Sequence, residues 1–264
     1  MFFSAHLFLL FTLLLASCAG DRPKGKTEAE ILFKEAQELI SEERYLLATE
    51  KLNQIKNQYP YSFYAKPSEL LQADVLFMQE NYVESAAAYL LYRDFHPKDE
   101  RIEYVIYRIA ESYYMQIPPT NDRDLQGAAE AIRYYQELLD KFPKTSYAKL
   151  SREKIRLCDK MLMEKDLYIA DFYYRTEVYQ ASRYWYHEII IKNKDKKLKE
   201  LLAFRIIDSA LKAKLYKECI ADGNYLLKNF SGIMVSEIQE LKDECHELLK
   251  EKIALKNKNK MKRS

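Results

Sequence analysis

Glycine and proline are scarce in this chain, at 5 and 7 of 264 residues, and tryptophan occurs once. So few turn formers and helix breakers argue against a sheet protein. A composition rich in Ala, Leu, Lys and Glu, with 22 Tyr, favours helix. No glycine-rich phosphate loop is present. The four histidines, His6, His96, His187 and His246, stand at no ligand or triad spacing from a Cys, Asp or Glu. No metal, cofactor or catalytic residue is therefore expected, and the chain reads as no enzyme. His96, before Pro97, reads as a solvated turn residue. A net charge of +2 implies no strong attraction to nucleic acid. That figure hides an asymmetry: residues 250–264 hold seven Lys/Arg and one Glu, so the body is mildly acidic. The apolar run at 7–16 (LFLLFTLLLA) is ten residues long, against the roughly 20 needed to span a bilayer. It fits the apolar region of a secretory signal.

That run leads into Leu15-Ala16-Ser17-Cys18, which looks like a lipobox. Small residues suit the protease, and the Cys18 thiol would carry a diacylglycerol and a further acyl chain. One chain binds a membrane marginally and two or more anchor stably. Ala19 after the cysteine suggests sorting to the outer membrane, facing the periplasm. No Lys or Arg precedes the run; only His6 and the α-amino group do. Asp21 to Lys26 reads as a polar tether. Cys158, Cys219 and Cys245 match no metal spacing. They read as buried, inert thiols, with a Cys219–Cys245 bridge as the alternative that an oxidising compartment permits.

Internal repetition carries the architecture. Ala36, Ala73 and Ala110 are spaced by 37, as are Tyr45 and Tyr82, and Pro60 and Pro97. Ala48, Ser85 and Ala131 each stand 12 before a proline, the last being Pro143. Each unit reads as a helix, a short polar turn, a Tyr, a second helix and a Pro stop. The third unit is nine residues longer than the first two, 46 against 37 between prolines, and the excess falls around the loop Ile117 to Asp124. A fourth has Ala170 and Tyr179, and a degenerate fifth has Ala210 and Tyr216. Small residues let paired helices approach to about 8–10 Å, and hairpins that cannot bury their apolar face alone must stack. Residues 144–180 lack Gly and Pro and read as one long helix of about 30 residues, or about 45 Å. The pattern A-x8-Y-x2-A-x11-P resembles the tetratricopeptide repeat. An all-α solenoid of about five hairpins is expected.

The expected organisation is a signal peptide at 1–17, a lipidated linker at 18–27 and repeats one to three at 28–145. The long helix with repeats four and five follows at 146–248, and a basic tail at 249–264. First helices line the inner face of such a stack. Register then selects Phe33, Gln37 and Ile40, then Leu70, Asp74 and Phe77, then Tyr104, Tyr107, Glu111 and Tyr114. An aromatic, apolar face with a few acceptors suits an extended peptide or an amphipathic helix. The plain alternative is core between stacked hairpins.

Local motifs sharpen this. His96-Pro97 with Ile102-Glu103-Tyr104-Val105-Ile106-Tyr107, Asp122-Arg123-Asp124, Phe142 to Tyr147, and Tyr168 to Tyr173 together resemble the BamD family. These are lipoproteins of the machine that folds β-barrels into the outer membrane. The resemblance covers roughly residues 28–230. It implies that repeats one to three receive unfolded outer-membrane proteins, and that repeats four and five dock the barrel subunit BamA beside other assembly lipoproteins. An Arg of the family's fourth repeat aligns with Trp185, with Arg183 two residues earlier. A wall- or division-linked repeat lipoprotein and a lipid carrier remain the competing readings.

Overall fold

Each Tyr that the repeat places after a polar turn begins a helix. In the computed structural model the described residues are 23–120, 123–229 and 234–261. Among them lie eleven helices. They are α1 (Glu28–Ser41), α2 (Tyr45–Gln58), α3 (Ala65–Met78), α4 (Tyr82–Phe95), α5 (Ile102–Met115), α6 (Gln126–Lys141), α7 (Ala148–Arg175), α8 (Tyr179–Lys192), α9 (Lys196–Lys212), α10 (Tyr216–Asn229) and α11 (Val235–Met261). No strand occurs among the described residues. The fold is all-α, built of five tetratricopeptide-type hairpins followed by α11.

Helix ends follow local chemistry. Thr27 caps α1 by accepting from the Glu30 amide at 3.2 Å, and Asp195 caps α9 through the Lys197 and Leu198 amides. Pro60, Pro97 and Pro143 stand two residues past α2, α4 and α6. A proline pushes the residue before it out of the helical region, and Tyr59 and His96 have φ −131° and −125°.

The turns inside four hairpins are one motif. Glu43, Glu80, Glu177 and Lys214 have φ between 57° and 63°. Each stands two residues past a helix and two before the Tyr that opens the next. The residue after each returns its N–H to a carbonyl five positions back: Arg44 to Leu39, Asn81 to Leu76, Val178 to Tyr173 and Leu215 to Ala210. This is the Schellman closure, made here without glycine.

The chain divides into two compact units, one of residues 23–116 with 133–151, the other of 117–132 with 152–261. In the first, Ala36, Ala48, Ala73 and Ala110 are fully buried. Tyr89, Tyr92, Tyr135, Leu52 and Ile106 fill the space around them. The Ser85 hydroxyl donates to the Ala73 carbonyl at 3.2 Å and lies 3.3 Å from Ser112 Oγ, tying repeat two to repeat three.

The second unit repeats the device: Ser182 Oγ donates to Ser209 Oγ at 3.0 Å. Its core gathers Ala170, Tyr186, Ile189, Leu202, Ile206, Ile207 and Leu226. Helix α7 has 28 residues, about 42 Å at 1.5 Å each, and its C-terminal turns form the first helix of repeat four.

Two expectations are corrected here. The residue nine before Tyr216 is Ile207, which is buried; it occupies the small-residue position of repeat five in place of Ala210, itself buried one turn on. Cys219 and Cys245 are not inert thiols but a disulfide, with Cα atoms 6.4 Å apart. Cys219 stands three after Tyr216, the position of Ala48, Ser85 and Ser182, where helices approach closely. One turn on, Gly223 is buried, and a Cβ there would meet Lys242 Cγ at 2.8 Å. α10 and α11 therefore touch at a bare backbone beside the bridge. Cys158 is buried as a thiol.

Candidate functional site

In the first unit, a carboxylate directly follows the small residue of each first helix from repeat two onward, and a phenol answers it. Tyr89 donates to Asp74, as does Tyr104 from the next repeat. Tyr135 donates to Glu111. In the second unit, Tyr186 donates to Asp171 at 2.6 Å and Tyr174 donates to Asp208. Tyr89 and Tyr186 each stand seven residues after the Tyr that opens a second helix, so that the hydroxyl crosses to the partner helix. In repeat five that position is Gly223, and Asp208 takes Tyr174 from repeat four instead.

The cluster at repeats two and three is the richest. Arg108 on α5 lies 3.6 Å from the centroid of Phe77, donates to the Tyr89 hydroxyl at 3.0 Å and stands 3.9 Å from Asp74. Phe77 meets Tyr82 edge-on at 5.1 Å. Beside it, Tyr107 stacks on Tyr147 at 4.1 Å, and Thr145 donates to Glu103. Burial pushes the Tyr89 and Tyr104 phenols far above their ordinary range, and Asp74 adds to the effect. Burial likewise pushes Tyr107 up to about 12, with Glu111 adding. All three therefore stay protonated donors near neutral pH. The face offers ring surfaces, a guanidinium and fixed acceptors, a set suited to holding side chains.

Of the residues chosen by register, Phe33, Ile40, Phe77, Tyr104, Tyr107 and Tyr114 are half-buried and keep some exposed surface. Phe33 packs on Tyr64 at 5.4 Å, and Ile40 packs against Ala36, Leu52 and Val75. Leu70 is a correction: at 4% exposure it belongs to the core and cannot line an open face. Asp74 and Glu111 are engaged by tyrosines, while Gln37 is exposed. Arg108 was not singled out from sequence, although it stands one turn after Tyr104 and hence on the same face.

His96 also differs from expectation. Its Nε2 lies 2.8 Å from Glu69, and its ring lies 4.7 Å from that of Tyr92. It borders a cavity of about 360 Å³ with Leu91 and Phe95, the latter 70% exposed. The strongly exposed Tyr61 and Phe63, just past α2, carried no periodic signal either.

In the second unit, Arg183 binds Asp222 of α10 through its Nε at 2.8 Å, and His187 Nε2 lies 3.3 Å from the same carboxylate. Trp185 is half-buried against the unit's core. Two residues apart on α8, the pair faces different ways. Arg123 offers its carbonyl to Lys165 Nζ at 3.0 Å, and Asp124 accepts from the Gln126 amide at 3.1 Å. Asp122, Cys18 and the apolar run at 7–16 lie outside the described residues. No helix among the described residues is long and apolar enough to cross a membrane.

Comparison with known proteins identifies a family. The family model described as YfiO, outer membrane lipoprotein, matches residues 25–199. Two relatives are each named outer membrane protein assembly factor BamD. That of Rickettsia prowazekii is 27% identical over 212 residues, covering 80% of this chain and 84% of its own. That of Caulobacter vibrioides is 23% identical over 223 residues, covering 83% and 73%. Among solved structures, the TPR2AB-domain:pHSP90 complex of yeast Sti1 is 14% identical, with 87% of each chain covered and a TM-score of 0.41. With more than half of its residues inside the matched segment, the chain belongs to the BamD (YfiO) family of outer membrane lipoproteins.

Proposed function

We propose that this protein is a scaffold of the β-barrel assembly machinery, held at the periplasmic face of the outer membrane by lipid on Cys18. It binds unfolded outer-membrane proteins through the first helices of repeats one to three. Repeats four and five dock the barrel subunit, with Arg183 and Trp185 as the contact region. The role is binding, without catalysis. The relatives' name supports the assembly role. The observation that carries the substrate half is the half-buried face of Phe77, Tyr104, Arg108 and Tyr107, with Asp74 as its fixed acceptor. Aromatic rings and an arginine held by neighbours are the residue types that dominate binding energy in interfaces. Ring faces and a guanidinium attract the aromatic side chains that recur in barrel strands.

The test places a photoreactive residue at Tyr107 in the full chain, with a control at Tyr225, 65% exposed in the second unit. Crosslinks to an unfolded barrel protein from position 107 and not from 225 are expected. Equal capture at both positions, or none at 107, removes the substrate role of this face. Co-purification with wall enzymes in place of the barrel subunit would favour a cell-wall scaffold instead.

A further inference from the structure

The second unit holds a cleft of about 710 Å³ whose lining includes neither Arg183 nor Trp185. One wall is a single stripe of α7. Arg152, Ile155, Arg156, Asp159, Lys160 and Met163 recur every three or four residues and so share one face. The other wall is the end of α8, with Ile189 and Lys192, followed by Asn193 and Lys194. The floor is apolar: Ile189 is buried, and Ile155, Leu162 and Met163 are half-buried. The turn that closes it is fixed internally. Buried Asn193 donates to Met163 Sδ at 2.9 Å and accepts from the Asp195 amide at 2.6 Å.

The rim is basic in a chain whose body is mildly acidic. Arg152, Arg156, Lys160, Lys192 and Lys194 stand against two carboxylates, Asp159 and Asp166. Lys160 and Lys192 have only long, exposed pairs one turn away, to Glu164 at 3.6 Å and Glu188 at 3.5 Å. Such pairs contribute little. Arg152, Arg156 and Lys194 are exposed and make no ion pair among the described residues.

The layout selects the occupant. Arg152 and Lys160 are eight residues apart, about 12 Å along the helix axis. A single phosphate would leave most of the five cations unmet. Some four residues of an extended segment span that distance, at about 3.3 Å each. The apolar floor between the cations calls for a hydrocarbon side chain, which a bare inorganic anion lacks. Arginine pairs carboxylates through two parallel hydrogen bonds. We propose that this cleft docks an acidic, leucine-bearing segment of a partner protein, its carboxylates on Arg152, Arg156 and Lys194 and its aliphatic side chain on Ile155 and Met163. The site is separate from Arg183, whose guanidinium is held by Asp222.

The test measures fluorescence anisotropy of a labelled twelve-residue Glu/Leu peptide with the full chain. Three comparisons decide it. Arg152→Glu with Arg156→Glu should weaken binding at least tenfold at an unchanged melting temperature. Replacing the leucines of the peptide by serine should weaken it severalfold. Lys252→Glu with Lys256→Glu in the basic tail should leave it unchanged. Equal affinity of the cleft variant, equal affinity of the serine peptide, or a loss confined to the tail variant each overturns the proposal. Phosphatidylglycerol vesicles form the other arm: cleft-dependent vesicle binding without peptide binding would make this a lipid site and overturn it too. Neither result bears on crosslinking from Tyr107, which reads the first unit alone.

Discussion

Replacing Ala73 by leucine tests the packing on which every hairpin depends. Ala73 has no exposed surface. The Ser85 hydroxyl of the facing helix lies 3.2 Å from its carbonyl and 3.3 Å from Ser112. Three added carbons have no room without parting α3 from α4. Overpacking of this kind costs about 1–3 kcal/mol. Parting the helices also strains the two Ser85 hydrogen bonds, each worth about 1 kcal/mol. A total near 3 kcal/mol is expected, a fall of about 12 °C in melting temperature at roughly 4 °C per kcal/mol. Urea and thermal melts followed by far-ultraviolet circular dichroism would read it. Ala87→Leu, on the exposed side of α4, is the control and should stay within about 0.5 kcal/mol of the parent. If Ala73→Leu melts with the parent, close helix approach at the repeated small residue is not what holds the hairpins together.

Reduction of the Cys219–Cys245 bridge, or Cys219→Ser, should cost about 3.5 kcal/mol by loop closure over the 26-residue separation. The loss should show in the second unit, read by hydrogen exchange of α10 and α11. Glu80→Gly relieves a left-handed residue at φ 61° and should be neutral or stabilising by up to about 1 kcal/mol, whereas Glu80→Val should cost about 1–2 kcal/mol. The Asp99 side chain, 2% exposed, binds Arg101 at 2.9 Å and Lys66 at 2.7 Å. The Arg101 guanidinium holds its carboxyl well below the usual carboxylate range, with Lys66 assisting against the cost of burial. Its stabilisation is therefore present above about pH 4 and lost as pH falls further. Asp99→Asn should destabilise at pH 7 by about 1–3 kcal/mol, and that difference should shrink in urea melts at pH 3.

The hairpins were legible in the sequence because they are set by near neighbours. Small residues at Ala36, Ala73 and Ala110, a Tyr nine later or the inserted loop, and a Pro two past the second helix act over one or two turns. The sterics of a few residues suffice to place them. The same reasoning selected Phe77 and Tyr104, which Arg108 joins in one cluster. It failed for Leu70, because burial depends on which neighbour covers a position and not on its spacing. It also failed at Ala210, where the small slot nine before Tyr216 holds Ile207 and the turn at Lys214 fixes the register.

Local pattern by itself therefore determined helix, turn and repeat number, and the register of the first four repeats. Tertiary packing decided which distant groups meet. Cys219 and Cys245 read as separate thiols until α10 and α11 approach at Gly223. Asp74 reads as an open acceptor until Tyr89 and Tyr104 arrive from two other helices. The cations of α7 gain a shared cleft only when the end of α8 closes over them. The physical reason is common to all three: a spacing along the chain fixes the side of a helix, whereas a contact requires the azimuth and distance of a second helix, which are set by the summed packing of many residues.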